Sequence, residues 1–197
     1  MLFQGADSWN IRDEHMLDTL DSLLRLHGPH SKGIVWAHNT HIGDYHATDM
    51  VEEGYVNLGG LAREKYGMKD TALVGFGTYQ GQVFAGRAWG ARPEVMILPP
   101  ARVKSYEDLF HRAALEMDTP SFYLLMDGEE KFREKLEHRA VGVVYQSEFE
   151  EHGRNYVPTT LSGRYDAFIF VDQTTALRSI ARATEKGKIP ETWPVGI

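Results

Sequence analysis

Three histidines crowd into one short stretch, His38-Asn39-Thr40-His41-Ile42-Gly43-Asp44-Tyr45-His46-Ala47-Thr48-Asp49. Imidazole titrates near neutral pH, so a positioned histidine can take a proton from water and return it to a leaving group. The stretch begins where an apolar run ends, and a strand end is where a rigid scaffold can aim a loop. Gly43 lets the backbone turn sharply between its two halves. One histidine in such a loop reads as a solvated side chain, and His46 fits that reading. His38 and His41 together read as a functional pair. With Asp44 and His46 the same residues are numerous enough to ligate a metal. Their spacing matches no standard zinc signature, and H-E-x-x-H is absent. A metal-dependent hydrolase using His38, His41 and Asp44 stands as an alternative.

Other designs fall away. There is no cysteine, hence no thiolate nucleophile, no disulfide framework and no Cys-type zinc site. There is no G-x-S-x-G, so the serine elbow of α/β-hydrolases is missing. A directly activated water is then the nucleophile of any hydrolase here. Gly75-Phe76-Gly77-Thr78-Tyr79-Gln80-Gly81 resembles a phosphate loop only loosely, because such a loop opens a helix and Gln82-Val83-Phe84-Ala85 reads as extended. It is better read as a tight hairpin or strand exit. Arg102, after Pro99-Pro100-Ala101, is within reach of a substrate carboxylate or carbonyl if it joins the site. The acidic run Glu148, Glu150, Glu151 reads as a solvated face.

The elements that must position these side chains follow from periodicity. Ile11, Met16, Leu17, Leu20, Leu23 and Leu24 share one helical face, with Asn10 as N-cap, and Gly28-Pro29 stops that helix. Gly33–His38 reads as a buried strand. Leu58–Tyr66 reads as a helix, Thr71–Phe76 as a strand, and Gln82–Trp89 and Glu94–Leu98 as two extended segments. Ser105, three residues before Asp108, opens a helix to about Met117. Ser121–Met126 is expected as a strand, Glu129–Arg139 as a helix, Val141–Gln146 and Phe168–Val171 as strands, and Thr174–Ala183 as a closing helix. The expected fold is α/β, a mainly parallel sheet flanked by helices with a β-hairpin at one edge. Residues 1–183 form the expected single domain and 184–197 a loose tail. His38, Asp127, Gln146 and Asp172 end apolar runs, so parallel strands would bring them to one rim.

The balance of 42% hydrophobic and 25% charged residues is that of a globular domain. A net charge of -7 argues against non-specific nucleic-acid or anionic-membrane partners. No run approaches the roughly 20 apolar residues of a membrane span, and no secretory signal pattern opens the chain, so a cytoplasmic protein is expected. Leu2–Gly5 reads as native sequence rather than as a protease-site scar.

Trp36-Ala37-His38-Asn39-Thr40-His41-Ile42-Gly43-Asp44 closely resembles the central motif of the erythromycin esterase family, as Ser8–Met16 resembles the segment before it. Val74–Thr78, Pro99–Arg102, Gly142–Tyr145 and Tyr165–Ala167 are similar to later family segments in the same order. The resemblance implies hydrolysis of a carboxylic ester, in the named members the macrolide lactone, by a histidine-activated water without metal or cofactor. It implies a cleft built from both halves of a protein about twice this length. His38 and His41 are then catalytic contacts, to the developing oxyanion or in support of the base. Arg12, Asn39, Asp44 and Arg102 are expected on the substrate side. The family's base histidine is expected in a half that precedes this chain, which predicts little turnover by this chain alone. Another copy, or the absent half, could cover the apolar surface left open. A ligand-binding module without catalysis is the remaining alternative.

Overall fold

The first helix forms where its period predicts, but its apolar face is not buried, with Ile11 59% and Leu23 49% exposed. In the computed structural model, which describes residues 5–126, 132–150 and 152–178, α1 spans Ala6–His27. Gly28, at φ 97°, closes it by donating to the Leu24 and Arg25 carbonyls. The helix starts five residues earlier than an Asn10 cap suggests. Asn10 instead clasps the loop ahead of the third helix, donating to Gly54 O and accepting from Val56 N.

After α1 come the one-turn helix α2 (Asn39–Ile42), two 3₁₀ turns (Tyr45–Ala47 and Asp49–Val51) and α3 (Leu58–Tyr66). Two stretches expected as separate strands fuse into one long β1 (Val74–Ala85), followed by β2 (Glu94–Leu98) and α4 (Tyr106–Glu116). Ser105 caps α4 by accepting from the Asp108 amide, while the Asp108 carboxylate accepts from the Lys104 amide, as the capping spacing predicts. Then follow β3 (Ser121–Leu125), β4 (Lys135–Arg139), β5 (Tyr156–Thr160), α5 (Leu161–Arg164) and β6 (Ala167–Thr174).

The main sheet has the order β2-β1-β6-β3, and β4-β5 form a separate ribbon. The α/β class and the edge hairpin are as expected. Within this sheet parallel pairing is confined to β1–β6, and both edge strands run antiparallel. One sheet face, carrying Phe168 and Phe170, packs on Tyr106, Phe110 and Ala114 of α4 with Leu73, Leu161 and Tyr165.

Four local expectations are corrected. Gly33–His38 is extended, but its residues up to Ala37 have no main-chain partner among the described residues. Ile34 is 96% exposed and Trp36 86%, because no strand lies beside them to complete a sheet. The last part of Glu129–Arg139 is β4, not helix; residues 127–131 lie outside the described ones. Val141–Gln146 makes only one bridge, Val144 to Gly86. Residues 175–178 are not helical, and 179–197, including the expected tail, lie outside the described residues.

The second sheet face is open. Phe76, Ile169 and Tyr123 are aligned across β1, β6 and β3, and the Trp36 ring lies 5.7 Å from that of Phe76. Among the described residues no helix is long and apolar enough to cross a membrane.

Candidate active site

Helical spacing puts Trp9, Arg12 and Asp13 on one side of α1, facing the turn that carries His41. That turn exists because His38 caps it. The Nδ1 of His38 accepts from the Thr40 amide at 3.2 Å and lies 2.8 Å from the Thr40 hydroxyl. Its Nε2–H donates to the Val141 carbonyl at 2.8 Å. Both ring nitrogens are thus engaged, and burial holds the His38 pKa below the ordinary histidine range.

His41 is 7% exposed and held on three sides. Its Nδ1 lies 2.9 Å from each oxygen of Asp13, a fully buried carboxylate. Its Nε2 lies 2.5 Å from the Arg12 Nη2, and the Trp9 ring stacks on it at 4.4 Å. Arginine can only donate, so Nε2 is an acceptor and the ring proton sits on Nδ1, facing Asp13. Asp13 also accepts from the Leu58 amide at 3.0 Å, the first residue of α3, so the positive end of that helix dipole supports its charge. Trp9 is fixed in turn by its indole N–H, which donates to Val56 O at 2.8 Å.

Close backbone approach brings these pieces together. A Cβ on Gly59 would stand 2.2 Å from the Ile42 carbonyl oxygen, so only glycine lets α3 meet the His41 turn. Gly43 has the same role rather than that of a turn residue: a Cβ there would meet Arg164 Nε at 2.6 Å and the Tyr165 ring at 2.9 Å.

The remaining expected site residues are placed elsewhere. The Asn39 amide is matched to both main-chain groups of Phe76, donating to its O at 2.5 Å and accepting from its N at 3.1 Å. Asp44 caps the following 3₁₀ turn and pairs with His46 at 2.8 Å and Arg63 at 3.0 Å. Arg102 pairs with Glu137 and lies 5.6 Å over the Tyr156 ring; no hydrogen bond or ion pair among the described residues links it to His41. Of the expected set, the structure brings together Arg12 and His41. His38, Asn39 and Asp44 build the loop between them and the sheet.

The metal alternative lacks its geometry. Nε2 of His38 faces a carbonyl, Nε2 of His41 faces a guanidinium and Asp44 faces Arg63. Among the described residues no three His, Asp or Glu side chains are grouped to hold an ion. The expected rim does not form either: Gly33–His38 and Val141–Gln146 are not strands, and β3 runs antiparallel to β6. Asp172 pairs with His111 at 2.6 Å, and Gln146 donates to Arg87 O. Asp127 lies outside the described residues.

Asp13 and Trp9 were missed. Asp13 reads in sequence as a first-turn helix acid, and only the helical spacing Trp9-x-x-Arg12-Asp13 hinted at a shared face. Beside the pair runs an apolar groove of about 540 Å³, between Met16, Leu20, Leu23 and Leu24 of α1 and the extended segment at Ile34–Trp36. Leu58 lines it while its amide holds Asp13, so the groove adjoins the polar cluster.

Solved structures share this architecture. A succinoglycan biosynthesis protein superposes with a TM-score of 0.68 at 18% identity, over 88% of this chain and 41% of that one. A Bacillus cereus protein superposes at 0.67 and 18% identity, over 87% and 40%. A histidine-to-asparagine mutant of the erythromycin esterase EreC, in an open conformation, superposes at 0.56 and 20% identity, over 83% and 37%. The chain spans about two fifths of the length of these relatives. The Erythromycin esterase family model matches residues 1–174. With that match over most of its length, the chain belongs to the erythromycin esterase family.

Proposed function

We propose that this chain forms part of the cleft of a carboxylic ester (lactone-type) hydrolase and that His41, in place of the base histidine expected in a preceding half, does proton work there. The observation that carries the reading is the Asp13–His41–Arg12 arrangement. A buried carboxylate fixes the proton on Nδ1, and the opposite nitrogen is left as an acceptor toward an exposed arginine. In the proposed reaction Arg12 leaves Nε2 and turns its N–H groups to the ester carbonyl. A water gives its proton to Nε2 as its oxygen attacks the carbonyl carbon. Arg12 stabilises the resulting oxyanion, and Asp13 the imidazolium. Collapse breaks the bond to the alcohol oxygen, which takes the proton back from Nε2. The products are an acid and an alcohol. The apolar groove beside Leu58 suits a substrate with an apolar body next to its ester.

The rest of the cleft is assigned to the part of the family fold that this chain does not span. Two observations support that partner: the relatives are more than twice as long as their matched region, and Phe76 and Tyr123 on one sheet face, with Trp36 beside them, are exposed while the other face is covered. A small-molecule ester substrate and a cytoplasmic location belong to the same proposal.

The test is an ester panel, macrolide lactones included, assayed with and without chelator. It compares this chain with a polypeptide that also carries the remainder of the fold. Turnover that needs the longer polypeptide and ignores chelator supports the reading. Ligand binding without turnover in both would replace it with a non-catalytic module, and loss on chelation with a metal hydrolase.

A further inference from the structure

A second buried acid–imidazole pair lies behind the first and takes no part in the reaction above. Glu107 of α4 and His138 of β4 are both fully buried, with Oε1 and Nδ1 2.6 Å apart. The same oxygen accepts from the Arg139 amide at 3.1 Å, and Oε2 has no partner among the described residues. A carboxylate facing Nδ1 requires the ring proton there, so Nε2 of His138 is an acceptor. It faces two donors, the Tyr165 hydroxyl at 3.3 Å and the Asn39 Nδ2 at 3.4 Å. Burial raises the Tyr165 pKa to about 12, so that hydroxyl keeps its proton.

Asn39 is the link to the site. It opens α2, the turn that carries His41, and its amide takes both main-chain groups of Phe76 on the open edge of β1. One N–H of the amide goes to Phe76 O, and the other faces the His138 lone pair. We propose that Glu107 and His138 are a positioning pair that holds the His41 turn against β1 through Asn39. The inference rests on His41 as the working imidazole, but its test does not need turnover.

Imidazole nitrogen NMR on the chain reads the tautomers, with His138 expected as Nδ1–H and His38 as Nε2–H. Amide exchange then reads the clasp, because the Phe76 N–H is bonded to Asn39 alone. His138→Phe and Glu107→Ala are expected to speed Phe76 exchange at least tenfold while Phe168 and Phe170 amides stay within about twofold. Glu107→Gln keeps an acceptor at Oε1 and is expected to restore slow Phe76 exchange. Where ester turnover is measurable, His138→Phe lowers kcat and leaves KM unchanged. Unchanged Phe76 exchange, or a rise shared equally by Phe168 and Phe170, overturns the proposal. So does His138 found as Nε2–H. An absence of turnover in every protein would overturn the proposed function and leave the exchange result to decide this one.

Discussion

Asp13 holds the Nδ1 of His41 with both carboxylate oxygens, each at 2.9 Å, across 28 positions of sequence. Neither residue has another route to that geometry. Asp13 needs the Leu58 amide at the start of α3, and His41 needs the cap that His38 gives its turn. The site is therefore a meeting of α1, α2 and α3 rather than a property of the histidine motif alone.

Asp13→Asn tests the pair directly. The amide keeps the shape but turns an N–H toward Nδ1, which favours the wrong tautomer. In the longer polypeptide kcat is expected to fall by about 10²–10⁴ with KM little changed. Equal turnover by Asp13→Asn and wild type would show that the carboxylate does no work there.

Gly59→Ala separates helix propensity from packing. In an open helix this change stabilises by about 1 kcal/mol. Here the new Cβ meets a backbone carbonyl at 2.2 Å, and overpacking outweighs the gain. Urea denaturation is expected to show a net loss of about 2–3 kcal/mol. Any gain in stability would mean that α3 does not approach the His41 turn so closely.

The buried His38 predicts an acid limit. Its folded pKa lies below that of the unfolded chain, so the unfolded state binds more protons between the two values. This contribution is complete above about pH 6.5 and is lost as pH falls from there toward the folded pKa. His38→Asn keeps an acceptor for the Thr40 amide and has no proton to gain. Denaturation midpoints at stepped pH should therefore fall less steeply for His38→Asn than for wild type below about pH 6.5. Parallel slopes would contradict the buried neutral imidazole.

How much of this was legible in sequence depends on what each element needs. α3 and α4 were readable with nearly their observed limits, because helix caps and periods are local: Ser105 announces α4, and Asn57 proves to cap α3. The strand Gly33–His38 was misread because its apolar run is only half of a strand; the other half is a neighbour, and none lies beside it here. β4 was hidden by charged residues such as Glu137 and Arg139, whose side-chain partners, Arg102 and Glu150, come from outside the strand. Among the site residues, the motif exposed His41 and the resemblance exposed Arg12. Asp13 stayed hidden, since an acid in a helix's first turns usually serves the dipole alone.

The uncovered face makes its own prediction. Ile34→Lys and Trp36→Lys should change the stability of this chain by no more than about 0.5 kcal/mol, because both side chains already face solvent. Dye binding to exposed apolar surface should fall in Trp36→Lys. A loss of several kcal/mol in calorimetry would mean that the segment is packed rather than open.

The central claim is that His41 handles the proton of an ester hydrolysis. It is tested most directly by kcat for wild type and His41→Ala in the polypeptide that carries the whole family fold, with folding of both checked by circular dichroism. The account predicts that His41→Ala loses at least about 10²–10³ of kcat at an unchanged fold. Equal kcat in the two proteins would contradict it and move the proton chemistry to another residue.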